Sequence, residues 1–236
     1  MKVFETNISQ LDDLFNEILL FQDQAAMRQS QEMRLKVQRA FHILRGLFAG
    51  ATTHKNFALL FDWLYPTNFG IVKKCLTVYS EAPADDDMVL LILRFLRGLV
   101  DNSSGRLRFD TWSINGLIVY KESASLMVQL MELFGCLSPQ GKPLKFNDQY
   151  KETFRFLKVL MAMLGKCITG NYINFAICEY YNDNTFTQLS QMVMQCILNQ
   201  DMAQLKSYKQ LYKQMYSLLE EFFQKHLELV FLRFDG

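Results

Sequence analysis

The stretch GRLRFDTWSINGLIVYKE, residues 105–122, decides how this chain is read. Arg106, Leu107, Arg108 and Phe109 alternate polar and apolar as a half-buried strand does, while the residues on both sides carry helical spacing. A lone strand, a binding loop and a long joint between helices all fit that alternation. The second half of the stretch separates them, because SINGLIVY at 113–120 is one of three related octets.

The others are HKNFALLF at 54–61 and YINFAICE at 172–179, so Asn56, Asn115 and Asn174 follow one another at intervals of 59 residues. After each Asn comes Phe57, Gly116 or Phe175, then Ala58, Leu117 or Ala176, then Leu59, Ile118 or Ile177. A glycine echo precedes each copy, at Gly46, Gly98 and Gly165. Glycine inside a helix costs about 1 kcal/mol relative to alanine, so these glycines are expected to mark close helix contact or an early helix end. Short apolar octets also recur by chance in a Phe-rich helical chain, but equal spacing and the glycine echo favour a repeat. A repeated helical pair is the sign of an α-solenoid, and this unit is longer than the ~40–47 residues of HEAT and armadillo repeats. Asn56, Asn115 and Asn174 are therefore the candidate repeat-equivalent positions, expected in the first turns of successive helices along one edge of the stack.

Gly98 and Asn115 are seven residues further apart than Gly46 and Asn56, and the surplus falls in GRLRFDTW. Ser103, Ser104 and Gly105 read as a helix end, and Ser113 as the next N-cap. The stretch is then an inter-repeat linker in which Phe109 and Trp112 tuck against the stack while Arg106 and Arg108 stay in water.

The only prolines, Pro66, Pro83, Pro139 and Pro143, fall at breaks between helical patterns. The spacing predicts helices over 9–23, 28–50, 54–64, 68–80, 86–101, 114–134, 147–168, 172–180, 184–199 and 207–233. Phe57, Leu60, Phe61 and Leu64 form one apolar face, as do Met127, Leu130, Met131 and Phe134. The last helix carries two stripes, Leu211, Met215, Leu218, Phe222 and beside them Tyr212, Tyr216, Leu219, Phe223, which calls for neighbours on two sides.

Half of the 236 residues are hydrophobic and 21% are charged, which excludes dominant disorder. A net charge near +1 gives no footprint for nucleic acid or an anionic membrane. Protein is the expected partner. Cys75, Cys136, Cys167, Cys178 and Cys196 are scattered in apolar stretches and read as reduced core thiols. The N-terminus has no signal-peptide pattern, and no apolar run reaches membrane-spanning length, so neither secretion nor membrane insertion is expected.

Chemistry-bearing residues are sparse. His42, His54 and His226 have no second His or Cys at zinc spacing. Cys167 and Cys178 could meet in space but lack an activating base. Gly141 opens a GKP turn without the lead or the Ser/Thr of a phosphate loop. Asp85, Asp86 and Asp87 precede a helix and read as capping carboxylates rather than metal ligands. Met161, Met163, Met192 and Met194 sit on helical faces, more in the manner of core filling than of a binding surface. No catalytic, cofactor-binding or metal-binding residues are expected.

The segments FALLFDWLYPTNF, DNSSGRLRFDTWSINGLIVYKES and GNYINFAICEYYNDNTF are similar, in the same order across most of the chain, to the C-terminal part of an exportin of the importin-β superfamily of nuclear transport receptors. Family members tend to have proline where this chain has Ile114, which removes a favourable first-turn residue and leaves the helix intact. The resemblance implies an all-α HEAT-like superhelix, here about four helical hairpins over residues 1–236. It also implies a shuttling receptor of nucleus and cytoplasm that is not an enzyme and uses no cofactor. Such a receptor carries cargo proteins past nucleoporins, and Ran-GTP and cargo are coupled through its curvature. The superfamily's main Ran contacts lie in N-terminal repeats outside this chain. The chain then reads as a slice of a larger receptor or as a short relative, whose end stripes (Leu14, Phe15, Ile18, Leu19 and Phe21; Val230, Phe231, Leu232 and Phe234) would behave as cut surfaces. A helical scaffold unrelated to transport is the alternative, and an enzyme with scattered site residues the alternative of another class.

Overall fold

The computed structural model describes residues 2–81, 85–108, 113–133, 149–198, 206 and 208–225. Pro83, Phe109, Trp112, Phe134, Cys136, Pro139, Gly141, Pro143, His226 and the stripe Val230, Phe231, Leu232 and Phe234 lie outside them. Among the described residues every regular element is helical, so the all-α, HEAT-like class expected from the sequence is the class found. The chain divides into two compact units, Met1–Leu99 with Ser104–Arg106, and Val100–Ser103 with Leu107–Gly236.

The first unit holds α1 (Lys2–Leu20), α2 (Gln24–Gln29), α3 (Gln31–Gly50), α4 (His54–Trp63), a π-turn (Leu64–Asn68), α5 (Phe69–Ser80) and α6 (Asp86–Val100), whose last residue already counts with the second unit. The long helix expected over 28–50 is two helices. Ser30 takes extended backbone between them, and its Oγ accepts the Met33 N–H at 3.2 Å, so one residue ends α2 and caps α3. Asp23 does the same for α2, accepting the N–H groups of Ala25 and Ala26 at 2.9 and 3.1 Å. Asp85 caps α6 through the Met88 N–H at 3.2 Å and also pairs with Arg34, as expected of a capping carboxylate. Pro66 sits in the π-turn, where Tyr65 before it is pushed out of helical backbone.

Phe57, Leu60, Phe61 and Leu64 are all buried, on the face their spacing marks. The core runs as a chain of rings, Phe41 to Phe95 at 5.8 Å, Phe95 to Phe48 at 5.6 Å, and Phe48 to Phe57 at 5.7 Å. In the first apolar segment Leu19 is exposed and Phe21 half-buried. Leu14, Phe15 and Ile18 are buried because α1 packs on α3 and α5, and Lys74 donates to the carbonyls of Ile18, Leu19 and Phe21 at its end.

The second unit holds α7 (Asn115–Leu133), α8 (Gln149–Thr169), α9 (Phe175–Tyr180), α10 (Thr185–Leu198) and α11 (Lys209–Lys225). Helix α10 packs on α7 and α11 on α8. Tyr120, Phe175, Phe186 and Phe222 form its ring chain, at 5.5, 4.2 and 6.2 Å. Met161, Met163 and Met192 are buried, which is the core-filling use. The expectation for the repeated glycines holds only in part. A Cβ at Gly46 or Gly98 would meet nothing within 4 Å, and their helices run on to Gly50 and Val100, so neither contact nor helix ending requires them. Gly165 differs: a Cβ there would collide with the Glu221 carboxylate on α11.

Candidate binding surface

The three asparagines all stand at helix starts, each in a slightly different place. Asn56 is the third residue of α4, exposed, with its N–H on the Thr53 Oγ1 at 3.3 Å. Asn115 is the first residue of α7, half-buried, with its N–H 3.4 Å from the Ser113 Oγ. Asn174 immediately precedes α9, exposed, and its carbonyl accepts the Ile177 N–H at 3.1 Å. Asn56 belongs to the first unit, Asn115 and Asn174 to the second.

The linker between Gly98 and Asn115 does not keep Arg106 wet. Arg106 is only 5% exposed, and its guanidinium donates to the carbonyls of Phe48 and Ala51 at the end of α3 and of Gly98 at the end of α6. Carbonyls left over at helix ends, together with the negative ends of two helix dipoles, attract a cation more strongly than water holds this one. His54 Nδ1 lies 3.0 Å from the Arg106 carbonyl, so this histidine is structural. Gly105 supplies the left-handed turn, φ 67°, that brings the arginine back onto the helix ends. Arg108, two residues on, is exposed as expected.

Past Arg106 the chain is extended, and no strand lies beside it among the described residues. Asn102 takes the partner's place: its Oδ1 accepts the Leu107 N–H at 2.6 Å, and its Nδ2 donates to the Leu107 and Gly170 carbonyls at 3.1 and 2.7 Å. Tyr172 closes the same region. It is fully buried, its hydroxyl donates to the Val100 carbonyl at 3.0 Å, and its ring leaves no room for a side chain at Gly116 or Gly170. That explains why the middle octet carries glycine where its siblings have phenylalanine.

One exposed feature of this unit is an aromatic pair that the sequence periodicity does not mark. Tyr180 and Tyr181, at the end of α9, are 82% and 75% exposed and meet edge to face at 5.3 Å. The backbone beneath them is fixed. The Tyr181 N–H donates to the Ile177 carbonyl at 3.1 Å, Asn182 takes φ 54°, and the Asp183 N–H returns to the Cys178 carbonyl at 2.8 Å. Asp183 caps α10 through the Thr185 N–H and hydroxyl and pairs with Lys121 at 2.9 Å. Burial would raise its carboxyl, but the Thr185 and Lys121 bonds outweigh that and hold it below the usual carboxylate range. Tyrosines have few rotors to freeze and a large contact area, which suits them to anchor a protein partner. The signal was in the letters: two aromatics directly before the turn-forming Asn-Asp-Asn of YYNDN.

The buried thiols are poor nucleophiles here. Burial pushes Cys75 and Cys167 each up to about 12, and Cys178 is also raised, first by burial and then by Asp183. The sulfur of Cys167 lies 3.7 Å from the Tyr172 hydroxyl. Among the described residues no group of three or more His, Cys, Asp or Glu could hold a metal ion, and no helix is long and apolar enough to cross a membrane.

In sequence the chain is exportin-7-like. It is 26% identical to Exportin-7 of Dictyostelium discoideum over 224 residues, 93% of this chain and 21% of that protein. It is 26% identical to Exportin-7-B of Xenopus laevis over 85% of this chain and 18% of that protein, and to Ran-binding protein 17 of Mus musculus over 79% and 16%. The chain thus spans about a fifth of the length of the curated relatives it matches. No family model matches it, and no solved structure does. The curated relatives it resembles are thus exportins and Ran-binding proteins by name.

Proposed function

We propose that this chain is the protein-binding part of a larger nuclear export receptor, holding cargo protein in a cycle coupled to Ran-GTP. The observation that carries the reading is the similarity to an exportin along nearly the whole chain. The exposed Tyr180 and Tyr181 on their braced turn supply a contact of the right kind. Ran-GTP itself binds mainly through repeats outside these residues, nucleoporins are met in transit, and the receptor shuttles between nucleus and cytoplasm. Cargo and Ran-GTP influence each other through linked affinities, with no catalytic step. Asn56, Asn115 and Asn174, each at a helix start, mark related places in successive repeats.

The test is replacement. Exchanging the aligned segment of Dictyostelium Exportin-7 for this chain should preserve Ran-GTP-dependent cargo export. The double substitution Tyr180→Ala, Tyr181→Ala in the exchanged segment should weaken cargo capture and leave Ran-GTP binding intact. A folded hybrid that binds Ran-GTP and exports nothing would overturn the assignment. Tight Ran-GTP binding by this chain alone would overturn the placing of the Ran contacts.

A further inference from the structure

Helix α11 buries one of its two apolar stripes, Leu211, Met215, Leu218 and Phe222, and packs on α8. The second stripe is uncovered: Tyr216 and Phe223 are 50% and 49% exposed, and Tyr212 and Leu219 are half-buried. Its members are spaced four, three and four residues apart, the alternation by which two helices interlock side chains along a seam. That order is the same read from either end. A second α11 laid antiparallel, centred between Ser217 and Leu218, would set Tyr212 against Phe223 of the partner subunit and Tyr216 against Leu219 of the partner subunit.

The charges beside the stripe select that orientation. Lys213 and Glu220 each follow a stripe residue, stand two turns apart on the same flank, and are both exposed. In an antiparallel pair this flank meets itself, so Lys213 faces Glu220 of the partner subunit, and the two-fold axis repeats the ion pair. A parallel pair would set the flank against Tyr208 and Met215 positions and leave both charges without an opposite. The Tyr212 and Tyr216 hydroxyls bond each other at 3.0 Å, with their rings at 4.6 Å, so two of the four stripe residues brace each other on the helix.

We propose that the second stripe of α11 binds a second copy of this chain, making a two-fold antiparallel dimer closed by reciprocal Lys213 and Glu220 pairs. Such a contact uses the same patch on both subunits and stops at two. It does not depend on the transport reading.

Sedimentation equilibrium of the 236-residue chain, wild type and charge variants, decides it. The wild type should be a monomer–dimer system that tightens as salt is lowered. Lys213→Glu and Glu220→Lys should each weaken dimerisation by about tenfold or more, because each sets like charges together twice. The double variant, with the charges exchanged, should return to within about threefold of wild type. Both side chains are solvent-facing, and circular dichroism checks that the helices persist. A wild-type monomer throughout the micromolar range would overturn the proposal, as would association beyond two copies. So would a dimer indifferent to the single exchanges or not restored by the double one.

Discussion

The guanidinium of Arg106 lies 5.1 Å from the centre of the Phe57 ring while its nitrogens hold the last carbonyls of α3 and α6. A cation over a ring and on three carbonyls has left nearly all of its water, so its removal leaves buried carbonyls without their partner. Arg106→Met is expected to destabilise the first unit by at least ~1–3 kcal/mol, the cost of one buried polar group left without a partner. Arg106→Lys should recover only part, since a single ammonium lacks the planar fork that spans two helix ends. Urea denaturation of the three proteins measures both effects.

Tyr172 makes two positions intolerant of a methyl group. A Cβ at Gly116 would stand 2.9 Å from both the Tyr172 ring and its carbonyl and 3.0 Å from the Arg108 carbonyl, and backbone does not yield as a side chain can. Gly116→Ala and Gly170→Ala should each cost about 1–3 kcal/mol by overpacking. Tyr172→Phe removes only the bond to the Val100 carbonyl, and should cost about 1 kcal/mol. Thermal unfolding that ranked the phenylalanine variant as the most damaged would contradict this packing.

Glu221 gives a pH signature. Burial raises its carboxyl above the usual range, against the pull of Lys166 and Lys225 and with a smaller push from Glu220. One carboxylate oxygen is buried over Gly165 and finds no hydrogen bond among the described residues. The folded value exceeds the unfolded one, so the protonated acid favours folding at low pH, and that contribution is lost as pH rises through the raised value. Glu221→Gln should therefore raise Tm at pH 7, with a gain that shrinks toward pH 4. A gain independent of pH would show that the charge is not its source.

Trp63 is half-buried, stacked on Phe15 at 5.6 Å, with its indole N–H donating to Asp12 at 2.9 Å. Trp63→Ala should cost about 2–3 kcal/mol, less than the ~3–5 kcal/mol of a fully buried aromatic. Trp63→Phe keeps the stack and should cost about 1 kcal/mol through the lost hydrogen bond. Calorimetry on the pair separates the ring from its polar edge.

What the sequence made legible was periodic. The buried face of Phe57, Leu60, Phe61 and Leu64 follows from spacing alone, and Asp85 is a cap because only a helix start follows it. Spacing is silent about what a side chain meets across the fold. Arg106 reads as solvated in any local window, since the carbonyls that bury it are supplied by Phe48, Ala51 and Gly98. Ser30 was hidden for the opposite reason: one residue can end a helix and cap the next without disturbing the apolar rhythm around it. Tyr180 and Tyr181 were passed over because an exposed aromatic pair has no periodicity to betray it.

The chain changes allegiance three times in quick succession, after Leu99, after Ser103 and after Arg106. A recombination breakpoint at Leu99 would strip the upstream product of Arg106, the cation on its helix ends. One after Arg106 would strip the downstream product of Val100 and Asn102, the acceptor for Tyr172 and the side chain that pairs Leu107. Neither half can be inherited whole by a single crossover.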